Sequence, residues 1–585
     1  MFPLLAFLLP STLSSVRALT PRSPLCPLLP SSSQHFRPSR LVSLRAGRAA
    51  SIVTMTTSSP AAPAAASGCS LRPLYEAVCE RVREISRLEG AMGLLDWDEQ
   101  TMMPAGSAGA RGAQKAALAA CVHDKQTEPA LGAALDAAEA ALAAADGGSD
   151  GAALNAYERA VLRDARRSYD LTRRTSRELA GRMAALQAEA HATWVAARKA
   201  NDWAAFAPML ERLVATAKEA AVTSRPALSD RPYDACLDTF ERGMTAARVA
   251  EVFNELKPRV KALLDEVAAG TPPDVPSYLD GGPEWEVDRQ AALSKAVATA
   301  MGFEFDKGRL DVAVHPFTGG PGPTDVRITT RYSTDNPWEG VSGTVHEVGH
   351  ALYEQGRNPA YEDLPVSLPL SMGVHESQSL LWEFCVGQSQ AFHTFLTPLM
   401  HKYFPHTADV TPEVLHAARN RVAPGLIRVD ADCLSYPGHI FVRFDIESAL
   451  MDGSLAVADV PRVWAEKMRE YVGVEVTDDA SGCLQDVHWS GLAFGYFPSY
   501  TIGAMMAVQL LGAARADLPD LDAMVERGEF KPLREWLRAK VHSVGSLYAS
   551  PDELLVAVTG RPLDVDGYVA FLRQKYAPVY GLADQ

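Results

Sequence analysis

From about Leu74 the apolar residues recur at intervals of three and four, as at Leu74, Val78, Val82, Ile85 and Leu88. That spacing lines one face of a 3.6-residue helix and is incompatible with the two-residue period of a strand. The texture persists almost to the C-terminus. Helix formers dominate to about Ala220 and are densest from Ala108 to Ala153, with a turn signalled at Gly147-Gly148 and Gly151. Further breaks fall at Pro272-Pro273 and Gly281-Gly282-Pro283. One stretch departs from the pattern. Asp325 to Tyr332 alternates and carries β-branched residues, which predicts a strand, and the glycines and prolines from Gly319 to Pro323 read as the turn before it. The expectation is one large, mostly α unit over residues 74–585 with a small β element.

Composition removes several classes of function. The 585 residues carry a formal net charge of -15 and offer no basic stripe to meet phosphates, so nucleic acid is not an expected partner. Beyond the N-terminal tail no apolar run reaches the 18 or so residues of a membrane span. The eight cysteines are scattered without a CxxC pair, as expected of buried, reduced thiols. Residues 1–73 differ in kind. No Asp or Glu precedes Glu76, while Arg17, Arg22, Arg37, Arg40, Arg45, Arg48 and Arg72 fall among Ser, Pro and Ala. This is the pattern of an organelle transit segment, which predicts a plastid or mitochondrial location. Met55 is a candidate internal start that gives a cytoplasmic form.

The chemistry concentrates in His346-Glu347-Val348-Gly349-His350. On a helix, residues four apart share a face, so both imidazoles can reach one metal ion. Glu347 is then placed to take a proton from an attacking water. A hydrolytic zinc site needs a third protein ligand and one open position. Glu376, 26 residues beyond His350, is the best candidate; its rivals are His375 and Glu354. A His-His-Glu set suits Zn2+, and Co2+ or Mn2+ could take similar ligands.

These residues sit among others that resemble the carboxypeptidase Taq family of zinc carboxypeptidases. His315-Pro316-Phe317 precedes Asp325-Val326-Arg327-Ile328-Thr329, similar to the family's DxRxT element. After the metal-binding helix come His375-Glu376-Ser377-Gln378 (its HESQ), Ile427 to Asp432 (its IRxxAD) and Gly482 to Trp489 (its GxxQDxHW). Gly495 to Tyr500, and near the start Trp97-Asp98 and Met103-Pro104, also look familial. The resemblance implies a helical fold with a deep groove, similar to angiotensin-converting enzyme and the neurolysin-like oligopeptidases. It implies stepwise removal of C-terminal residues with broad specificity except at proline, and a homodimer. Three positions depart: a basic residue is expected near Leu380, an amide near Phe384, and Glu at Cys433.

Roles can be assigned residue by residue. Glu347 is the general base and then the proton donor to the leaving amine. His488 and Tyr500 are candidate donors to the oxyanion, with Tyr496 and His439 behind them. Recognition of a free carboxylate suits an Arg fork; the resemblance makes Arg428, at the family's IRxxAD position, the first choice and Arg327 the second, with Gln378 in the expected substrate-binding set. Asp325 and Asp486 are expected to orient a neighbouring His or Arg. Two rival functions remain: a zinc endo-oligopeptidase or dipeptidase in the same kind of groove, and a non-catalytic binding scaffold. The intact His346, Glu347, His350 and Glu376 set argues against the second.

Overall fold

A computed structural model describes residues 71–146 and 154–582. The N-terminal segment and the expected turn at Gly147-Gly148 and Gly151 lie outside the described residues. The first six helices are α1 (Leu71–Thr101), α2 (Ala108–Gln126), α3 (Pro129–Asp146), α4 (Ala156–Arg174), α5 (Arg177–Ala200) and α6 (Trp203–Ser224). Then follow α7 (Pro232–Phe240), α8 (Ala246–Ala269), α9 (Val287–Met301), α10 (Pro337–Gln355), α11 (Met372–Leu380), α12 (Gln390–Tyr403) and α13 (Pro412–Arg419). The chain ends through α14 (Tyr436–Asp452), α15 (Val460–Tyr471), α16 (Pro498–Asp517), α17 (Leu521–Glu526), α18 (Lys531–Leu537), α19 (Pro551–Thr559) and α20 (Val565–Tyr580). Among the described residues no helix is long and apolar enough to cross a membrane.

Local chemistry accounts for the ends that matter to the site. Asn155 and Glu158 form a reciprocal capping box at the start of α4. Pro337 occupies the first turn of α10, where its missing N–H costs nothing, and the helix stops at Gly356. Ser371 caps α11 by accepting from Val374 N at 3.1 Å.

Between α9 and α10 lies a three-stranded sheet of β1 (Gly308–Val312), β2 (Thr318–Gly322) and β3 (Asp325–Thr330), in the order β1-β3-β2. β1 runs parallel to β3, pairing Gly308 with Val326 and Val312 with Thr330; β2 is antiparallel, pairing Thr318 with Ile328. The expected strand is therefore present, ending at Thr330 rather than Tyr332. The expected turn is not where the composition put it. Thr318-Gly319-Gly320-Pro321-Gly322 forms β2, because an edge strand with an irregular register tolerates Gly and Pro that a central strand would not. A glycine of α1 lets that helix pack on this strand: a Cβ at Gly90 would stand 2.9 Å from Pro321 O.

One large core cluster runs from α5 to α20, with a smaller one among α1, α3, α4 and Leu364-Val366, and Trp97 packing with Ala313 and Phe317 beside the sheet. Of the described cysteines, Cys79, Cys236, Cys385, Cys433 and Cys483 are buried, Cys121 is exposed, and all are free thiols. Leu380, Phe384 and Cys433 are all buried in the large core.

Candidate active site

α10 is held against the sheet by Thr330, whose Oγ1 donates to Gly340 O at 3.0 Å. This sets His346, Glu347 and His350 beside β2. The two imidazoles of α10 have ring centroids 5.0 Å apart and are 23% and 12% exposed. α11 crosses α10 at Gly349, where a Cβ would lie 2.6 Å from both Gln378 O and Ser379 Cα. That close approach brings Glu376 onto the imidazoles: Oε1 is 3.9 Å from His346 Nε2, and Oε2 is 3.4 Å from His350 Nε2. One donor atom from each of the three residues falls within 4.8 Å of the other two. Donors bound at about 2.1 Å around a tetrahedral centre stand roughly 3.4 Å apart, so the set needs little adjustment to hold a metal.

Charge points the same way. Burial works to lower the His346 pKa, yet Glu383, with Glu376 and Glu347 behind it, pulls it up to about 10. Three carboxylates converging on one imidazole make a field suited to a cation. His350 is held down to about 4 by burial and by His375, so it stays neutral as a ligand must. Burial pushes Glu347 up to about 7, and Thr318 Oγ1 donates to its Oε2 at 2.6 Å.

The structure places the rival ligands elsewhere. His375 Nε2 lies 3.0 Å from Glu354 Oε1, and Glu354 also accepts from Arg357 at 2.9 Å. His375 does stack on His350, at 4.5 Å and 16°. The sequence reading missed Glu383. Beyond Leu380 the helix widens into a π turn, Leu381–Gly387, which lets Glu383 return to the face of Glu376 and accept from His346 Nδ1 at 2.8 Å. A carboxylate two turns beyond Glu376 was the available signal, since a metal-binding His characteristically gives its other N–H to such a partner. Thr318 was missed too; it falls in the segment read as leading into a turn.

A second cluster joins α14, the 427–432 run and the 482–489 run. The two runs are tied through Gln485, whose Oε1 accepts from Arg428 N at 2.9 Å while its Nε2 donates to Leu426 O at 2.9 Å. Asp486 bridges two buried arginines, accepting from Arg428 Nε at 3.0 Å and Arg443 Nε at 2.7 Å. Arg443 gave no sequence signal, as it sits in an otherwise apolar part of α14. Neither terminal nitrogen of Arg428 is bonded among the described residues. Its guanidinium lies 4.7 Å from the Tyr500 ring centroid. Tyr500 Oη is 3.2 Å from His488 Nε2, and Tyr496 packs on Tyr500 at 5.1 Å. One turn along α16 from Tyr500, Gly503 touches Glu376: a Cβ there would be 3.0 Å from the Glu376 Cβ. The arginine cluster thus connects through α16 to the candidate metal ligands. His488 is kept down to about 3 by burial and the two arginines, despite Asp486, and is neutral. His439 is fully buried with neither ring nitrogen partnered, and burial with Arg443 and Arg428 holds it at about 3.

Two candidates for substrate contact take other partners. Arg327 donates Nε and Nη2 along one edge of its guanidinium to Asp325, at 2.8 and 2.7 Å, and lies 4.7 Å from the Trp97 ring. Asp325 thus takes Nε and Nη2 of Arg327, whereas Arg428 gives up only its Nε to Asp486 and keeps both terminal nitrogens unbonded among the described residues. Gln378 is fully buried, with Oε1 3.0 Å from His542 Nε2 and its amide donating to Ser377 Oγ. Two residues along a helix turn a side chain by about 200°, which points Gln378 away from the face of Glu376.

The model of the carboxypeptidase Taq (M32) metallopeptidase family matches residues 77–576. The chain is 41% identical over 515 residues to thermostable carboxypeptidase 1 of Thermus thermophilus, covering 87% of this chain and 99% of that protein. It is 34% identical to carboxypeptidase 1 of Bacillus subtilis, covering 85% and 97%. Trypanosoma cruzi metallocarboxypeptidase 1 superposes with a TM-score of 0.81 at 38% identity, over 87% of this chain and all (100%) of that one. The M32 carboxypeptidase of Deinococcus radiodurans gives a TM-score of 0.81 at 35% identity, over 87% and 100%.

Proposed function

This chain belongs to the carboxypeptidase Taq (M32) family, which makes it a metallocarboxypeptidase and a peptide hydrolase, and we propose that it is a zinc enzyme removing C-terminal residues from peptides with broad specificity. His346, His350 and Glu376 would hold the ion. Zinc, when bound there, lowers the pKa of water and polarises a carbonyl. Glu347 takes a proton from the attacking water and returns it to the leaving amine, with Thr318 Oγ1 fixing its carboxylate. Glu383 fixes the His346 ring by taking its Nδ1–H. Tyr500, held by His488, donates to the oxyanion as charge develops there.

The observation that carries the exopeptidase reading is the arginine cluster. Asp486 is shared between Arg428 and Arg443 and His488 is neutral, so two buried guanidiniums face a single bonded carboxylate and the terminal nitrogens of Arg428 suit an anion. A free C-terminal carboxylate satisfies them, and an amide does not. The test uses N-blocked peptides of one sequence ending in carboxylate or amide, with and without chelator, read by mass spectrometry. Stepwise loss from the free-acid peptide alone, abolished by chelator and restored best by zinc, is expected. Internal cuts in both peptides would replace this reading with an endo-oligopeptidase. We propose also that residues 1–73 are an organellar address and that the enzyme is a homodimer. Fractionation of a tagged chain and light scattering test these; a wholly cytosolic signal and a monomeric mass are the contrary results.

A further inference from the structure

We propose that Glu241 is a positioning residue for the metal site: its buried carboxyl fixes the N-terminus of α11 and so the placement of Glu376. This rests on the reading of Glu376 as a metal ligand. α11 is a short helix, and its first turn is held from two directions. Ser371 takes Val374 N from within the chain segment itself. Glu241 takes Gly373 N from the far side of the fold, 132 residues away in sequence, through its Oε1. The fit is close: a Cβ at Gly373 would stand 2.8 and 3.0 Å from the two carboxyl oxygens, so a side chain there would push the carboxyl away. The carboxyl also lies beside Ser371 and Ser499, the residue before Tyr500. Its hydrogen bond goes to α11; its second oxygen and Ser499 Oγ have no hydrogen-bond partner among the described residues, so the helix bearing Tyr500 is a neighbour of the carboxyl.

The anchor is rigid. Glu241 closes α7, with its N–H donating to Leu237 O at 2.7 Å and its own carbonyl accepting from Met244 N at 3.0 Å. Its neighbour Arg242 is paired with Asp164 at 2.6 Å. The preceding Phe240 packs edge-on against Tyr496 at 5.1 Å, and a Cβ at Gly495 would be 2.7 Å from Leu237 N. The end of α7 thus meets three parts of the candidate site: α11, the Gly495-Tyr496 segment and the start of α16. A fully buried acid in such a place is costly unless its partners are fixed. Burial pushes it up to about 7 against the pull of Ser499, Ser371 and Gly373 N, so glutamine is close to an isostere of its neutral form.

The test measures metal affinity by chelator competition, with apo-protein melting followed by circular dichroism. Glu241→Ala should weaken metal binding by about 10- to 100-fold, the range for groups that orient ligands. Once saturated with metal, it should show a lowered kcat with little change in KM. Glu241→Gln, which keeps the acceptor and loses only the charge at the helix end, should stay within about fivefold of wild type. A folded Glu241→Ala protein with wild-type metal affinity overturns the proposal. If that variant does not fold, Glu241→Asp takes its place: the shortened carboxyl cannot reach Gly373 N and should lose at least tenfold while Gln does not. Equal affinities for Asp and Gln, or the reverse order, also overturn it. Glu376→Ala distinguishes the two claims, because retention of metal there removes the ligand assignment itself.

Discussion

Gly349 lies inside the metal-binding motif yet contributes no ligand, and its replacement by alanine tests whether the gap between α10 and α11 sets the site. A Cβ at this position would lie 2.6 Å from Gln378 O and from Ser379 Cα, both backbone atoms with no rotamer to change. Ordinary contact begins near 3.4 Å, so the helices must part by roughly 0.8 Å. Metal–ligand distances tolerate only about 0.2 Å, and two of the candidate ligands ride on one helix while the third rides on the other. The separation therefore opens the 3.4 and 3.9 Å contacts of Glu376 with His350 and His346. Overpacking of this kind costs about 1–3 kcal/mol. Alanine's better helix propensity offsets at most about 1 kcal/mol of it. The expected outcome is a Gly349→Ala protein that still folds, melts a few degrees lower as apo-protein, and binds metal at least tenfold more weakly by chelator competition. Wild-type metal affinity in that variant would refute the reasoning, since it would mean that the helix spacing does not govern how the ligands converge.

Glu347→Gln should keep the metal and lower kcat by about 10²–10⁴-fold, the usual worth of a general base; turnover near wild type in steady-state assays would remove Glu347 from proton transfer. Arg428→Ala should cost about 2–5 kcal/mol in kcat/KM toward free-acid peptides, at least roughly thirtyfold, and should erase the preference over the amide. An unchanged preference shifts carboxylate recognition to another group. Asp486→Asn leaves two buried guanidiniums without their counter-ion and should destabilise the fold by about 3–5 kcal/mol, seen as a lower melting temperature. Although burial opposes it, Arg443 and Arg428 hold Asp486 below the usual carboxylate range. Its contribution is thus present above the unfolded value near 4 and is lost as pH falls below it. The variant's deficit should accordingly shrink below about pH 4; a deficit that stays constant with pH would rule out this charge as its source. Glu383→Gln turns an acceptor-only group into a poorer partner for His346 Nδ1 and should weaken metal binding about tenfold, to be read by the same chelator competition.

Much of this protein follows from its sequence. The three- and four-residue spacing of apolar side chains requires helices, because the two-residue period of a strand would put half of them in water. The i, i+4 pair of His346 and His350 needs nothing beyond the helix on which it sits. Ser371, Asn155 and Gly356 mark helix ends for reasons of local hydrogen bonding. What sequence could not supply is which distant groups meet. Gly349 reads as an unremarkable spacer until α11 is laid across it. Thr318 reads as the approach to a turn until β3 pairs with its strand and turns it toward Glu347. Arg327 and Arg428 look alike as candidates for a carboxylate. Only the fold gives two nitrogens of the first to Asp325 on its own strand and leaves both terminal nitrogens of the second unbonded beside Tyr500. Glu241 and Arg443 carry no local pattern at all, since their partners lie 132 and 43 residues away. Local spacing determines the helices and the ligand pair, because backbone geometry is a short-range property. Tertiary packing decides which buried charges face one another, because that depends on contacts between segments the chain brings together only once it has folded.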